Sequence, residues 1–192
     1  MTDSEIVKQI LLGDRDLYRK LVDRYQPMIF RTCLGFLHNK DDSDDLSQEI
    51  FIQAYLALKT FKGDSSFSTW IYRIAVNAAL NKVRKSQKSL VIQRFESLFG
   101  SSKNPDITLP HSFDDNPEDL LITAEHKKWV EGALNTLPEN QRTAIVLSKY
   151  DELSQKEIAE IMNLTEGAVE ALIQRAKANL RDKLSSSRRK MR

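Results

Sequence analysis

Apolar side chains recur three and four positions apart along almost the whole chain, and no useful stretch alternates apolar with polar residues. That spacing is the period of the α-helix, so it excludes a sheet protein at the outset. It predicts helices near residues 3–12, 14–38, 44–60, 67–88, 120–135, 139–151, 155–162 and 166–184. The apolar runs are only a few residues long, which excludes a membrane-embedded helix. The N-terminus, MTDSEIVKQILLGD, carries acids where a secretory leader needs cations, which points to a cytoplasmic chain. The single cysteine, Cys33, permits no internal disulfide framework.

The net charge of +2 over 192 residues says little until it is divided along the chain. Residues 1–90 sum to +3, residues 91–122 to −4 and residues 123–192 to +3. The middle piece contains SSKNPDITLPHSFDDNPED, with three prolines, several acids and no helical period. Such a composition reads as a flexible acidic linker between two small helical domains. Within the halves the cations are concentrated. From Ser65 to Phe95 there are six basic residues and no acid, and from Arg175 to Arg192 eight basic residues and one acid.

Two predicted helices of the first half carry unusual faces. The 44–60 helix buries the stripe Leu46, Ile50, Ala54 and Leu58, and its other side presents Asp45, Gln48, Glu49, Ile52 and Tyr55. Apolar groups beside carboxylates suit a basic protein partner, although packing within the domain would account for them equally. The acids at 41–45 suit a helix N-terminus, where negative charge favours the macrodipole. The 67–88 helix places Trp70, Arg73, Asn77, Asn81, Arg84 and Lys88 on one line, opposite Ile71, Ile74, Ala75 and Ala78. Cations with a flat ring and amides are what a single nucleic-acid strand needs: neutralised phosphates and a stacking surface. The preceding loop holds Gly63 for a turn and Ser66 or Ser68 as helix cap, between Phe61 and Phe67.

The strongest local signal spans residues 153–181. Ser154 and Glu157 form a capping box, and Leu153 and Ile158 occupy the staple positions around it. The short helix buries Ile158, Ala159 and Met162, Asn163 suits a left-handed cap, and Leu164 packs the turn. Thr165 caps a second helix whose apolar stripe is Val169, Leu172, Ile173, Ala176 and Leu180. Its free face carries Glu166, Glu170, Ala171, Gln174, Arg175, Lys177 and Arg181. This is the pattern of a helix-turn-helix whose second helix enters the major groove. The residues near its start reach base edges, and the later cations reach phosphates.

No enzyme chemistry is legible. His38, His111 and His126 are far apart and form no metal pattern, and no phosphate-binding glycine loop or nucleophile motif is present. No metal or other cofactor is implied. A helix-turn-helix regulator that works without polymerase is the alternative reading, but it leaves the acid-free stretch of residues 65–95 unexplained.

Three stretches, DDLSQEIFIQAY at 44–55, FKGDSSFSTWIYRIAVN at 61–77 and LPENQR at 137–142, resemble the extracytoplasmic-function (ECF) sigma factors of bacterial RNA polymerase. The resemblance implies an all-α chain with a sigma2 domain at 1–90, a linker at 91–122 and a helix-turn-helix sigma4 domain at 123–192. It implies that Asp45, Leu46, Gln48, Glu49, Ile52 and Tyr55 dock on the clamp coiled coil of core polymerase. Phe61, Lys62, Gly63, Asp64, Ser65, Ser66 and Phe67 would capture a base flipped from the −10 element. Trp70, Arg73, Asn77, Asn81, Arg84 and Lys85 would grip the opened strand. Thr165, Glu166, Glu170, Ala171, Gln174, Arg175, Lys177 and Arg181 would read the −35 duplex, and sigma4 would also contact the polymerase flap. The linker would thread the polymerase channel, and an anti-sigma factor would hold the protein inactive. One departure stands out: Glu170 follows Val169 where many members carry a cation, so a −35 preference does not transfer.

Overall fold

The computed structural model describes residues 1–99 and 129–190. Among these residues the secondary structure is helical, in two units. The first unit holds α1 (Asp3–Leu11), α2 (Tyr18–Leu37), α3 (Lys40–Ala57) and α4 (Phe67–Phe99). The second holds α5 (described over 129–135), α6 (Glu139–Lys149), α7 (Gln155–Met162) and α8 (Glu166–Lys190). Most of the acidic linker lies outside the described residues.

Local chemistry sets the boundaries. Thr2 and Glu5 close a capping box on α1. A short 3₁₀ turn, Arg15–Leu17, takes the place of the first turn expected for α2. His38, in the left-handed region at φ 57°, ends α2. Asn39 then accepts the Asp42 amide at 3.0 Å, so α3 begins at Lys40, earlier than the periodicity indicated. The acids of residues 41–45 therefore lie at its N-terminus as expected, with Asp41 and Asp42 in the first turn. A second 3₁₀ turn, Leu58–Thr60, replaces the last turn expected for α3. Ser66 accepts the Thr69 amide at 3.1 Å and starts α4. That helix runs to Phe99, well past residue 88, because its first breaker after Phe67 is Gly100.

In the first unit α2 packs on both α3 and α4, burying Leu21, Ile29, Phe36, Ile50, Ala54 and Ile71. In the second, α8 packs on α6 and α7 over Val146, Leu147, Ile158, Val169 and Ala176. The two units are not separate: their buried apolar residues form one continuous cluster. Gly35 on α2 lies at a close approach of the two, since a Cβ there would lie 2.7 Å from Val146 Cγ1.

Candidate nucleic-acid and polymerase interfaces

The loop between Phe61 and Phe67 stands on aromatic rings. Phe61, Phe67 and Trp70 form a triangle with centroids 5.4–5.6 Å apart, and Tyr25 meets Phe67 at 5.3 Å. Tilted and edge-on pairs of this kind stabilise beyond their buried area. Above them Lys62, Gly63, Asp64 and Ser66 are exposed, and Gly63 turns the chain at φ 83°, a conformation that favours glycine. Phe67 is the exception among the expected contacts. It is 2% exposed, so it belongs to the core, and its role is to support the loop from below. Phe61 and Trp70 are half-buried and keep an accessible edge.

Along α4, Arg73, Asn77, Asn81, Arg84 and Lys88 are exposed as the stripe required, and Lys85 is exposed beside them. Asn77, Asn81 and Lys85 also line a shallow cleft against Leu46, Glu49 and Gln53 of α3. Two of the cations are already partnered. Arg73 donates to backbone carbonyls of α7, and Arg84 grips both carboxylate oxygens of Glu139 at 2.5 Å. That pairing raises the Arg84 pKa and holds the Glu139 carboxyl below its ordinary range.

The helix-turn-helix forms from the expected caps. The Ser154–Glu157 box closes in both directions, at 3.3 Å onto the Glu157 amide and 2.9 Å from the Ser154 amide. Asn163 takes φ 53° and ψ 49°, and the Thr165 hydroxyl accepts the Ala168 amide at 3.2 Å. Two details differ. Leu164 is exposed instead of packing the turn, and Ile161 is buried where Met162 was expected, with Met162 half-buried. Glu166, Glu170, Gln174, Arg175, Lys177 and Arg181 are exposed on α8, and Ala171 is half-buried beside them. Sequence reasoning missed the work of Arg142. Its buried guanidinium donates to the Leu134, Asn135 and Leu137 carbonyls, closing the end of α5 and aiming α6. Burial pulls its pKa down and Glu139 pushes it back up.

On α3, Asp45, Gln48, Glu49 and Ile52 are exposed and Tyr55 is half-buried, but Leu46 is 3% exposed and packs inward with Ile50. A groove of about 860 Å³ runs beside this face, lined by Tyr18, Val22, Phe51, Ile52, Tyr55 and Leu56 with Arg15, Arg19 and Asp23 at its rim. The Tyr18 hydroxyl donates to the Phe51 carbonyl at 2.6 Å and braces its wall. Leu56 is 71% exposed, one helical turn after Ile52 at 61%. The same i, i+4 spacing could have found it.

Comparison with known proteins places this architecture. Residues 21–89 match the family model Sigma-70 region 2, and residues 127–180 match Sigma-70, region 4. Together these define a sigma-70-type initiation factor. The chain is 34% identical over 179 residues to the ECF RNA polymerase sigma factor SigW of Bacillus subtilis, covering 93% of this chain and 94% of that one. It is 36% identical over 192 residues to the ECF RNA polymerase sigma-E factor of Escherichia coli K12, covering 96% and 95%. The protein belongs to the ECF sigma factors of RNA polymerase. The structure of CnrH in complex with the cytosolic domain of CnrY shares the fold, with a TM-score of 0.63 at 24% identity over 96% of this chain and 97% of that one. RpoE of Bartonella quintana, solved with the anti-sigma factor NepR, gives 0.56 at 19% identity over 88% and 96%.

Proposed function

We propose that the chain acts at promoters through three separate surfaces and performs no catalysis of its own. The sigma2 unit, residues 1–90, docks on the clamp coiled coil of core polymerase through Asp45, Gln48, Glu49, Ile52 and Tyr55, with Leu56 and the adjoining groove extending that face. The sigma4 unit, residues 123–192, reads duplex DNA with α8. Glu166, Glu170 and Gln174 face base edges, while Arg175, Lys177 and Arg181 neutralise phosphates. Loop 61–66 and the α4 stripe hold the melted strand. An extruded base settles against the accessible edges of Phe61 and Trp70, which offsets an unstacking cost of a few kcal/mol. Polymerase supplies the chemistry, and the work is done in the cytoplasm. An anti-sigma factor is the partner that restrains such a protein.

The observation that carries this reading is the polar, glycine-turned loop standing on a half-buried aromatic cluster at the head of a cationic helix. Run-off transcription with core polymerase and mapping of start sites tests the assignment as a whole. Permanganate footprinting at a mapped promoter then tests the strand site. Trp70→Ala is expected to lower promoter melting at least tenfold with core binding intact. Unchanged melting would remove the aromatic site from the mechanism. In a pull-down, Glu49→Lys is expected to weaken core binding; normal retention would count against the α3 face.

A further inference from the structure

Helix α1 is tied to the strand-capture loop by two routes. The first is packing. The Thr2–Glu5 box fixes where α1 begins and sets Asp3 in its first turn, where a carboxylate favours the helix dipole. Ile6, Val7 and Ile10 are buried along the inner face of α1, which packs on α2 and on the 3₁₀ turn Leu58–Thr60. That turn runs directly into Phe61.

The second route is chemical. The Asp3 carboxylate accepts from two neighbours on α2: Oδ1 from the Arg24 guanidinium and Oδ2 from the Tyr25 hydroxyl. The Asp3 side chain is 21% exposed and that of Arg24 47%. The Tyr25 ring meets Phe67 at 5.3 Å, and Phe67 in turn meets Phe61 at 5.5 Å and Trp70 at 5.4 Å. Burial pushes the Tyr25 hydroxyl up to about 12 and the bond to Asp3 adds to the rise, so the hydroxyl remains a donor at neutral pH. A tyrosine side chain turns about only two torsions, so holding its hydroxyl holds the ring against Phe67.

From this geometry we infer that Asp3 is a positioning residue of the strand-capture site: it fixes Tyr25 beneath Phe67, and the ring stack keeps the accessible edges of Phe61 and Trp70 in place for an extruded base. This role rests on the reading of loop 61–66 and α4 as the strand site and adds a foundation for that site in α1. Asp3 itself touches neither base nor phosphate. Its two bonds have different consequences. The bond from Tyr25 leads on through three rings to the loop, whereas the ion pair with Arg24 only anchors α1 on α2.

That division separates four variants of the full chain. Asp3→Asn keeps an oxygen acceptor for Tyr25 and gives up the ion pair. Arg24→Met gives up the ion pair alone. Asp3→Ala and Tyr25→Phe each remove the hydroxyl–carboxylate bond. Permanganate footprinting at a mapped promoter, with core polymerase saturated by each variant, reads strand capture. Tryptophan emission of the free chain, in a Trp129→Phe background that leaves Trp70 as the one remaining tryptophan, reads the ring stack. Asp3→Ala and Tyr25→Phe are expected to lower melting at least fivefold and to shift the Trp70 emission. Asp3→Asn and Arg24→Met are expected to stay within twofold of the unmodified chain and to keep its emission. A loss that merely followed weaker anchoring of α1 would appear in Arg24→Met as well. Unchanged melting in both Asp3→Ala and Tyr25→Phe would overturn the inference, as would equal losses in all four variants. If Trp70→Ala leaves melting unchanged while Asp3→Ala still shifts the emission, the tie from α1 to the rings stands, but the strand-site reading falls and the positioning role falls with it.

Discussion

The two cationic helices use their charge in opposite ways. On α4, Arg73 and Arg84 are held by the second unit of the same molecule. On α8, Arg175, Lys177 and Arg181 are exposed and make no ion pair with any described residue. The α8 cations are therefore available as they stand, whereas an anion approaching the exposed α4 stripe meets two guanidiniums already engaged.

The largest effect expected is on stability, and it separates two rings of one cluster. Phe67 is sealed beneath the loop, so Phe67→Ala leaves a cavity and is expected to cost about 3–5 kcal/mol. Trp70 keeps an exposed edge, and Trp70→Ala is expected to cost less stability but more promoter melting. Urea denaturation beside permanganate footprinting checks the pair. Equal losses of stability would place both rings in the core and leave the loop without its stacking partner.

Next in size is a pH effect at the seam between the two units. Burial lifts the Asp151 carboxyl from 3.8 to about 6, against the opposing pull of Thr32 and Arg31. The groups that face it are Arg31, Thr32 and Cys33 from α2 and Tyr72 from α4. Burial pushes the Cys33 thiol up to about 12 and raises the Tyr72 pKa further, so both stay neutral throughout this range. A protonated Asp151 donates to Thr32, which frees the Thr32 hydroxyl for the Met28 carbonyl 3.1 Å away. The packed seam then holds a proton that the unfolded chain has lost. Its stability is highest below about pH 4, falls as the pH rises from 4 through 6, and levels off above, by about 3 kcal/mol at most. Urea denaturation at a series of pH values measures this. Asp151→Asn is expected to flatten the profile; an unchanged slope would assign the titration to another group.

These two sites also mark what the sequence could and could not reveal. The S-x-x-E box at Ser154, the left-handed Asn163 and the Thr165 cap each depend on hydrogen bonds spanning a few residues, so a short window contained them. The buried stripes of α3 and α8 followed from periodicity in the same way. Asp151 and Thr32 meet across 119 positions, and nothing near either residue announces the other. Arg73 and Arg84 read correctly as exposed, but periodicity assigns a residue to a face without naming what covers that face. Leu46 and Phe67 were drawn into candidate sites by their motifs, although their own apolar character assigned them to the core.

A cap sharpens the comparison from the α7 side. Ser154→Ala removes the acceptor of the Glu157 amide and is expected to cost about 1 kcal/mol. Because α7 also presents the Glu160 and Ile161 carbonyls to Arg73, the loss is expected to loosen its contact with α4 together with the helix-turn-helix. Thermal unfolding and scattering on one sample check whether the two move together.

The smallest effect tests whether the α8 cations act as free charges. Arg175 and Arg181 lie beyond the first turns of α8, where a helix seated in the major groove turns back toward the phosphate backbone. A cation that neutralises one phosphate releases about one counterion, so Arg175→Ala is expected to reduce the slope of log K against log salt by about one. It would weaken all duplexes alike, since a phosphate contact carries no base preference. Glu170→Gln is expected to do the reverse, leaving the salt slope almost unchanged and altering the preferred sequence at one position through the lost carboxylate acceptor. Duplex titrations at several salt concentrations, with a mapped promoter and a scrambled one, read both quantities at once. A loss of sequence preference in Arg175→Ala, or a changed slope in Glu170→Gln, would mean that α8 sits in the groove in a different register from the one its exposed face indicates.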